Sequence, residues 1–160
     1  MDPSQKKQAL ITSLKLLAAT PKSRSQLSER LLEKGYEEDV VSEVLKELET
    51  QGVLNDKAFA ENIKSRYVHA KPSGSRRIDF ELKRRGISGK LRQEILGQMN
   101  PEEEFERAKE LGYSKWQKLA LLRPEQRKKR IYDFLIRRGF DYPLVRNIIT
   151  EFERLDQHEG

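Results

Sequence analysis

Cysteine is absent from this chain, which excludes disulfides, thiolate metal centres and cysteine nucleophiles. Histidine is scarce. His69 and His158 are the only two, the first near an expected helix end and the second in the last few residues, so no histidine pair offers itself for acid–base work or zinc. The sequence contains no H-E-x-x-H zinc helix, no G-x-x-x-x-G-K-[ST] phosphate loop and no G-x-S-x-G elbow. Its many Asp and Glu residues stand among Lys and Arg at helix-surface spacings, which is the pattern of ordinary solvated charge. No uncharged apolar run approaches the roughly 18 residues of a membrane span, and the amino terminus has no signal-peptide core. The expectation is a cytoplasmic, monomeric protein that is not an enzyme, with no metal, no cofactor and no membrane contact.

Apolar material is also limited. Of the 160 residues, 36% are apolar and another 36% charged, too little for one thick core and better suited to several small helical ones. Net charge is +6, and its distribution is uneven. Residues 1–55 carry 8 basic and 9 acidic side chains, residues 56–100 carry 11 and 5, and residues 101–160 carry 13 and 12. The whole excess lies in the middle, where it favours a polyanionic or acidic partner.

What the chain does have is a repeat. Gly35, Gly86 and Gly139 lie 51 and 53 residues apart, each closing an amphipathic stretch such as Ser75-Arg-Arg-Ile-Asp-Phe-Glu-Leu-Lys-Arg-Arg-Gly86. Eight residues before each glycine stand Leu27, Ile78 and Ile131; four before stand Leu31, Leu82 and Leu135; immediately after stand Tyr36, Ile87 and Phe140. Farther on come Val40, Leu91 and Leu144, then Val44, Ile95 and Ile148, then Leu48, Met99 and Phe152. Six apolar columns hold in all three copies. The spacings of eight and four put the first two columns on one helix face, and glycine sits where a helix stops in the left-handed conformation. A fixed period of this size marks an array of helical units.

The spacing predicts three units, 1–55, 56–100 and 101–160, each of three helices joined by short links. A first helix over 4–19 has Ala9, Leu10, Leu14, Leu17 and Ala18 inward. Ser23 caps the next, with Gln26 completing a capping box, and a third runs over 38–50. The second unit opens at Asn55 or Asp56 with Phe59, Ile63 and Tyr67 inward, and its last helix spans 90–99. The third unit begins at Asn100-Pro101, and its first helix, with Phe105, Ala108 and Leu111 inward, stops at Gly112. An inserted short helix over 113–122, which carries Trp116, follows; then come a helix from Pro124 and a last one over 143–154, with 156–160 frayed.

The cationic side chains supply the candidate binding surface. In the middle unit these are Lys64, Arg66, Lys71, Arg76, Arg77, Lys83, Arg84 and Arg85; in the third, Arg127, Lys128, Arg130, Arg137 and Arg138. Arginine bonds phosphates and carboxylates in bidentate fashion, so such a surface suits DNA or an acidic protein groove; a solvated helix face is the plainer reading. Phe80 lies off the Ile78/Leu82 stripe, as an exposed contact or as packing against a neighbouring unit. Tyr113 and Trp116 read as core or interface filler before base-stacking platforms. Residues 23–55 also read as a winged helix-turn-helix segment, but Glu37, Glu38, Asp39, Glu43 and Glu47 on its reading helix would repel phosphates. A helical scaffold for some other acidic protein is the third alternative.

Laid out this way, the chain resembles the RecX family of bacterial recombinase regulators over nearly its whole length. The most specific stretches are Asp56-Lys-Ala-Phe-Ala-Glu61, Arg66, Gly74-Ser-Arg-Arg-Ile78 and Glu81-Leu-Lys-Arg-Arg-Gly-Ile87. It departs from the family in its neutral-to-acidic first unit and in the Trp116 insertion. The resemblance implies an all-α protein of three tandem three-helix repeats in an elongated, curved array. It implies a non-catalytic modulator, usually an inhibitor, that lies in the groove of the RecA filament on single-stranded DNA. ATPase, strand exchange and co-protease activity would be affected, and through them homologous recombination, DNA repair and the SOS response. Some family members also bind single- or double-stranded DNA directly.

Overall fold

The computed structural model describes residues 2–159, and these form nine helices with no strand among them. In order they are α1 (Pro3–Ala19), α2 (Arg24–Glu33), α3 (Glu38–Thr50), α4 (Asp56–His69), α5 (Ser75–Arg84), α6 (Gly89–Gly97), α7 (Pro101–Lys118), α8 (Pro124–Arg137) and α9 (Tyr142–Glu159). The three glycine-anchored helices are α2, α5 and α8.

Each of the three ends in the same way. Gly35, Gly86 and Gly139 have φ of 94°, 79° and 89°, the left-handed conformation that a Cβ disfavours. The residue after each glycine then donates its N–H back into the helix: Tyr36 to Leu31 O at 3.3 Å, Ile87 to Leu82 O at 3.1 Å, and Phe140 to Leu135 O at 3.2 Å. This is a Schellman cap, and its usual apolar contact joins the same two residues that bond. Two of the six columns are therefore the two sides of one cap. All eighteen column residues are buried or half-buried, and Leu27, Ile78, Ile131, Leu31, Leu82 and Leu135 are fully so.

Starts are equally local. Ser23 Oγ accepts the Gln26 N–H while Gln26 Oε1 accepts the Ser23 N–H, the expected capping box. Asn55, rather than Asp56, caps α4 by accepting the Ala58 N–H at 3.1 Å, and Asn100 caps α7 through Glu102 N–H at 2.8 Å. Glu37 makes no side-chain cap for α3, in keeping with its poor fit to that role.

The chain divides into two compact units. One comprises residues 1–62 and 82–92, the other 63–81 and 93–160, so the middle repeat contributes to both. The first unit has an aliphatic core built on Leu27, Leu31, Val44, Leu45 and Leu48 from α2 and α3, covered by Ala9 of α1. The second has an aromatic-rich core of Trp116, Ile131, Leu135, Phe140, Ile148 and Phe152. Tyr113 and Trp116 both pack on the Phe152 ring, at centroid separations of 5.4 and 5.7 Å.

Four expectations need correction. Leu14 and Ala18 of α1 point outward, and Ser13 takes the inward place, its hydroxyl donating to Ala9 O at 2.7 Å. Gly112 does not stop a helix. It is buried in the middle of α7, where a Cβ would come within 3.3 Å of both Leu135 Cδ1 and the Phe152 ring. The supposed insertion is thus the continuation of α7, and Ala108, Gly112 and Trp116 form one buried line along it. In the middle repeat α6 begins and ends earlier than expected, at Gly89 and Gly97. The carboxyl-terminal stretch is not frayed through 159: α9 continues to Glu159, and Gly160 lies outside the described residues. Asp156 holds that last turn by accepting Trp116 Nε1–H at 3.0 Å and Arg127 Nη1–H at 2.6 Å.

Candidate interaction surface

A helix leaves its first N–H groups and last C=O groups without partners of its own, and α5 finds them in the neighbouring repeats. In the second unit, the Gly74 N–H donates to Arg138 O at 2.8 Å and the Arg76 N–H to Gly139 O at 3.0 Å. The Ser75 N–H donates to Glu104 Oε1 at 2.8 Å. The start of α5 is therefore seated on the glycine turn that ends α8. Two arginines secure the link before it: Arg138 donates Nε–H and Nη2–H to Pro72 O, and Arg107 donates Nε–H to Ser73 O. Burial pulls the Arg107 pKa below the ordinary arginine value, and Glu104 and Glu103 work in the other direction.

The other end of α5 is held by the same construction one repeat earlier. In the first unit the Ser23 hydroxyl, which also caps α2, donates to Arg85 O. The start of α2 thus meets the glycine turn that ends α5. Ser23 and Gly74 both stand twelve residues before their own glycines, so the two joints use equivalent positions. A Cβ on Gly86 would overlap Ser25, and a Cβ on Gly139 would overlap the backbone of Arg77. Backbone groups and small residues do the seating.

That construction leaves the outer side chains of α5 for solvent. Ile78 and Leu82 are fully buried, whereas Arg76, Lys83 and Arg84 are exposed. Arg76 makes a long ion pair with Asp141, 3.9 Å apart, with both side chains about 60% exposed. Phe80 is 56% exposed, and the Arg77 guanidinium lies 5.8 Å from its ring and 6.0 Å from that of Tyr67. Arg66 and Lys71 are exposed, Lys64 and Arg85 half-buried.

Arg77 has a structural duty that sequence reasoning missed. Its Nη2 lies 2.9 Å from Oε1 of Glu81, a carboxylate only 1% exposed. A buried carboxylate needs a paired cation, so Arg77 is committed to the fold as well as to the surface. The signal was available: Glu81 follows Ile78 by three and precedes Leu82, which places it on the inward stripe.

The cations of the third repeat separate in the same way. Arg127 is spent inside, with its side chain 12% exposed. It donates to Trp116 O from Nε and Nη2, pairs with Asp156, and stacks 3.7 Å over the Trp116 ring. Arg138 is spent on Pro72. Arg130 and Arg137 are exposed, and Lys128 pairs with Glu153 at 3.0 Å. An open concavity of about 950 Å³, lined among others by Val68, His69, Pro72 and Leu111, carries a net opposite sign, from Glu102, Glu103, Glu106 and Glu110 against the single cation Arg107. Among the described residues no three His, Asp or Glu side chains are grouped to hold a metal, and no helix is long and apolar enough to cross a membrane.

Comparison with known proteins gives a consistent result. Residues 9–48 match the family model described as the first three-helix domain of RecX, and residues 102–149 match that of its third. "Regulatory protein RecX" of Chlorobium limicola is 33% identical over 150 residues, covering 94% of this chain and 92% of that protein. Its namesake in Mycobacterium avium is 31% identical over 150 residues, covering 92% and 86%. The crystal structure of RecX from Lactobacillus salivarius superposes with a TM-score of 0.87 at 20% identity, over 94% of this chain and 97% of that one, a likeness of fold.

Proposed function

This chain belongs to the RecX family, and we propose that within it the protein acts as a non-catalytic modulator, an inhibitor, of the RecA recombinase filament on single-stranded DNA. The observation that carries the reading is α5. It is held at both ends through backbone groups and offers Arg76, Lys83 and Arg84 outward beside exposed Phe80. Exposed arginine and lysine next to an aromatic ring is the composition of a contact surface for acidic groups, whether carboxylates of a filament groove or phosphates. Arg66, Lys71, Arg130 and Arg137 extend the set. The three repeats, 1–55, 56–100 and 101–160, act together in this reading, each adding contacts too weak to hold a filament alone. It makes the protein a cytoplasmic monomer that works by binding, with filament ATPase, strand exchange and co-protease activity as its targets.

The test uses Arg76→Glu with Lys83→Glu, two exposed positions seven residues apart on α5. Arg77 is left intact because reversing it would place a carboxylate against buried Glu81. The double variant is expected to need at least tenfold more protein to slow filament ATPase, with its helical circular dichroism unchanged. Wild-type potency in that variant would mean that another surface is used.

A second reading, direct DNA binding through residues 23–55, is disfavoured by α3. Its Glu37, Glu38, Asp39 and Glu43 are exposed, and no cation on that helix offsets them except Lys46.

A further inference from the structure

Two of the glycine turns, those of Gly86 and Gly139, carry a seated helix start, and the Gly35 turn at the end of α2 stands open. We propose that this open turn is a docking seat for a separate protein, one that presents a helix start with glycine or serine ahead of arginine. This goes beyond the filament reading and does not depend on it.

The filled seats define what such a turn accepts. The carbonyl just before the glycine takes one donor: Arg85 O takes the Ser23 hydroxyl in the first unit, and Arg138 O takes the Gly74 N–H at 2.8 Å in the second. Gly139 O takes another, the Arg76 N–H at 3.0 Å. The matching acceptors in the first repeat are Lys34 O and Gly35 O, and among the described residues neither receives a hydrogen bond. Both residues are exposed, and a Cβ at Gly35 would meet nothing within 4 Å. The residue after the turn is less covered as well. Ile87 and Phe140 are buried at the filled seats, whereas Tyr36 is half-buried and Leu32, four residues before it, is 41% exposed.

Charge says what kind of start fits. The last carbonyls of one helix carry the negative end of its dipole and the first N–H groups of another the positive end, so the two attract when seated end to end. Within four residues of Gly35, exposed Glu33, Glu37, Glu38 and Asp39 outnumber Lys34. Glu37 stands two residues after its glycine, as Asp141 does after Gly139, and Asp141 pairs with Arg76 across the filled seat. Among the described residues Glu37 has no such cation beside it. The point of contact needs a small residue: Ser23 fills it in one seat, and in the other a Cβ on Gly74 would overlap the Gly139 backbone. A second copy of this chain does not supply the start. Its α2 and α5 are seated already, and position 127, the third match of Ser23 and Gly74, is an arginine whose donors go to Trp116 and Asp156.

The probe is a synthetic peptide of this chain's own residues 72–86, the start that fills the Gly139 seat, titrated into isotope-labelled full-length protein and followed by amide NMR shifts. Saturable shifts are expected at Lys34, Gly35 and Tyr36. Gly35→Asn keeps the left-handed turn but puts a side chain into the seat, and should weaken the peptide about tenfold. Glu37→Lys should weaken it several-fold, and a peptide carrying Gly74→Val should leave the three amides unmoved. Thermal melts of the two protein variants, expected to stay close to the wild type, separate lost docking from lost fold. Absence of saturable shifts with the wild-type peptide would overturn the proposal, as would shifts confined to the acidic face of α7. Wild-type affinity in Gly35→Asn, or equal binding by the Gly74→Val peptide, would overturn it too. So would sedimentation in which the wild-type chain dimerises and Gly35→Asn does not, since a second copy would then fill the seat.

Discussion

Gly35 and Gly139 hold the same place in their repeats and nearly the same backbone conformation, with φ of 94° and 89°. Their surroundings differ. A Cβ added at Gly35 would meet nothing within 4 Å, whereas at Gly139 it would overlap the backbone of Arg77. Gly139 receives the start of α5, and among the described residues nothing equivalent is seated on Gly35. One residue type therefore serves two purposes: it closes a helix in every copy, and where a neighbour docks it also clears the space for docking.

This comparison can be broken most forcefully at Gly139. Gly139→Ala carries the left-handed penalty of about 1–2 kcal/mol together with overpacking of about 1–3 kcal/mol at the joint. Urea denaturation is expected to show a loss of about 3 kcal/mol or more, with the Gly74–Arg138 contact disrupted. Gly86→Ala should fall next. Its obstruction is the Ser25 side chain, so Ser25→Gly in the same chain should recover the steric part and leave the conformational part. If the two changes were simply additive, the joint would not be the source of the cost. Gly35→Ala is expected to lose only the left-handed penalty, about 1–2 kcal/mol. Equal losses at all three glycines would contradict the distinction.

The two joints also differ in their seats. The seat of α2 is a hydroxyl, Ser23 Oγ on Arg85 O, and that of α5 is the backbone N–H of Gly74 on Arg138 O. Only the first can be removed by a side-chain change. Ser23→Ala should cost about 1–2 kcal/mol, since it loses the cap and leaves the Arg85 carbonyl without the serine hydroxyl. A loss confined to a few tenths, measured by thermal denaturation, would show that water replaces it.

Much of this was legible beforehand. The glycine columns gave the helices, their ends and the inward stripes, because a Schellman cap is local and ties the residues at −4 and +1 to one another. The joints were not legible. They link positions 62 and 64 residues apart, Ser23 with Arg85 and Gly74 with Arg138, and no periodicity within a helix reports on them. Gly112 was misread for a related reason: glycine stops a helix or admits a close neighbour, and only the packing of Leu135 and Phe152 against it decides which. Charge was legible as sign and place, yet not as use. Arg127 and Arg138 look like Arg130 and Arg137 in sequence, but their donors go to Trp116, Asp156 and Pro72. Trp116 and Asp156, forty residues apart, explain why Arg127 turns inward.

The proposed role of α5 is tested most directly by following ATP hydrolysis on preformed RecA filaments on single-stranded DNA while this protein is titrated in. The account predicts that the rate falls as the wild-type chain is added, and that Arg76→Glu with Lys83→Glu shifts the curve at least tenfold to higher concentration. An unchanged rate at stoichiometric excess of the wild-type chain, or superimposable curves for the two proteins, would contradict it.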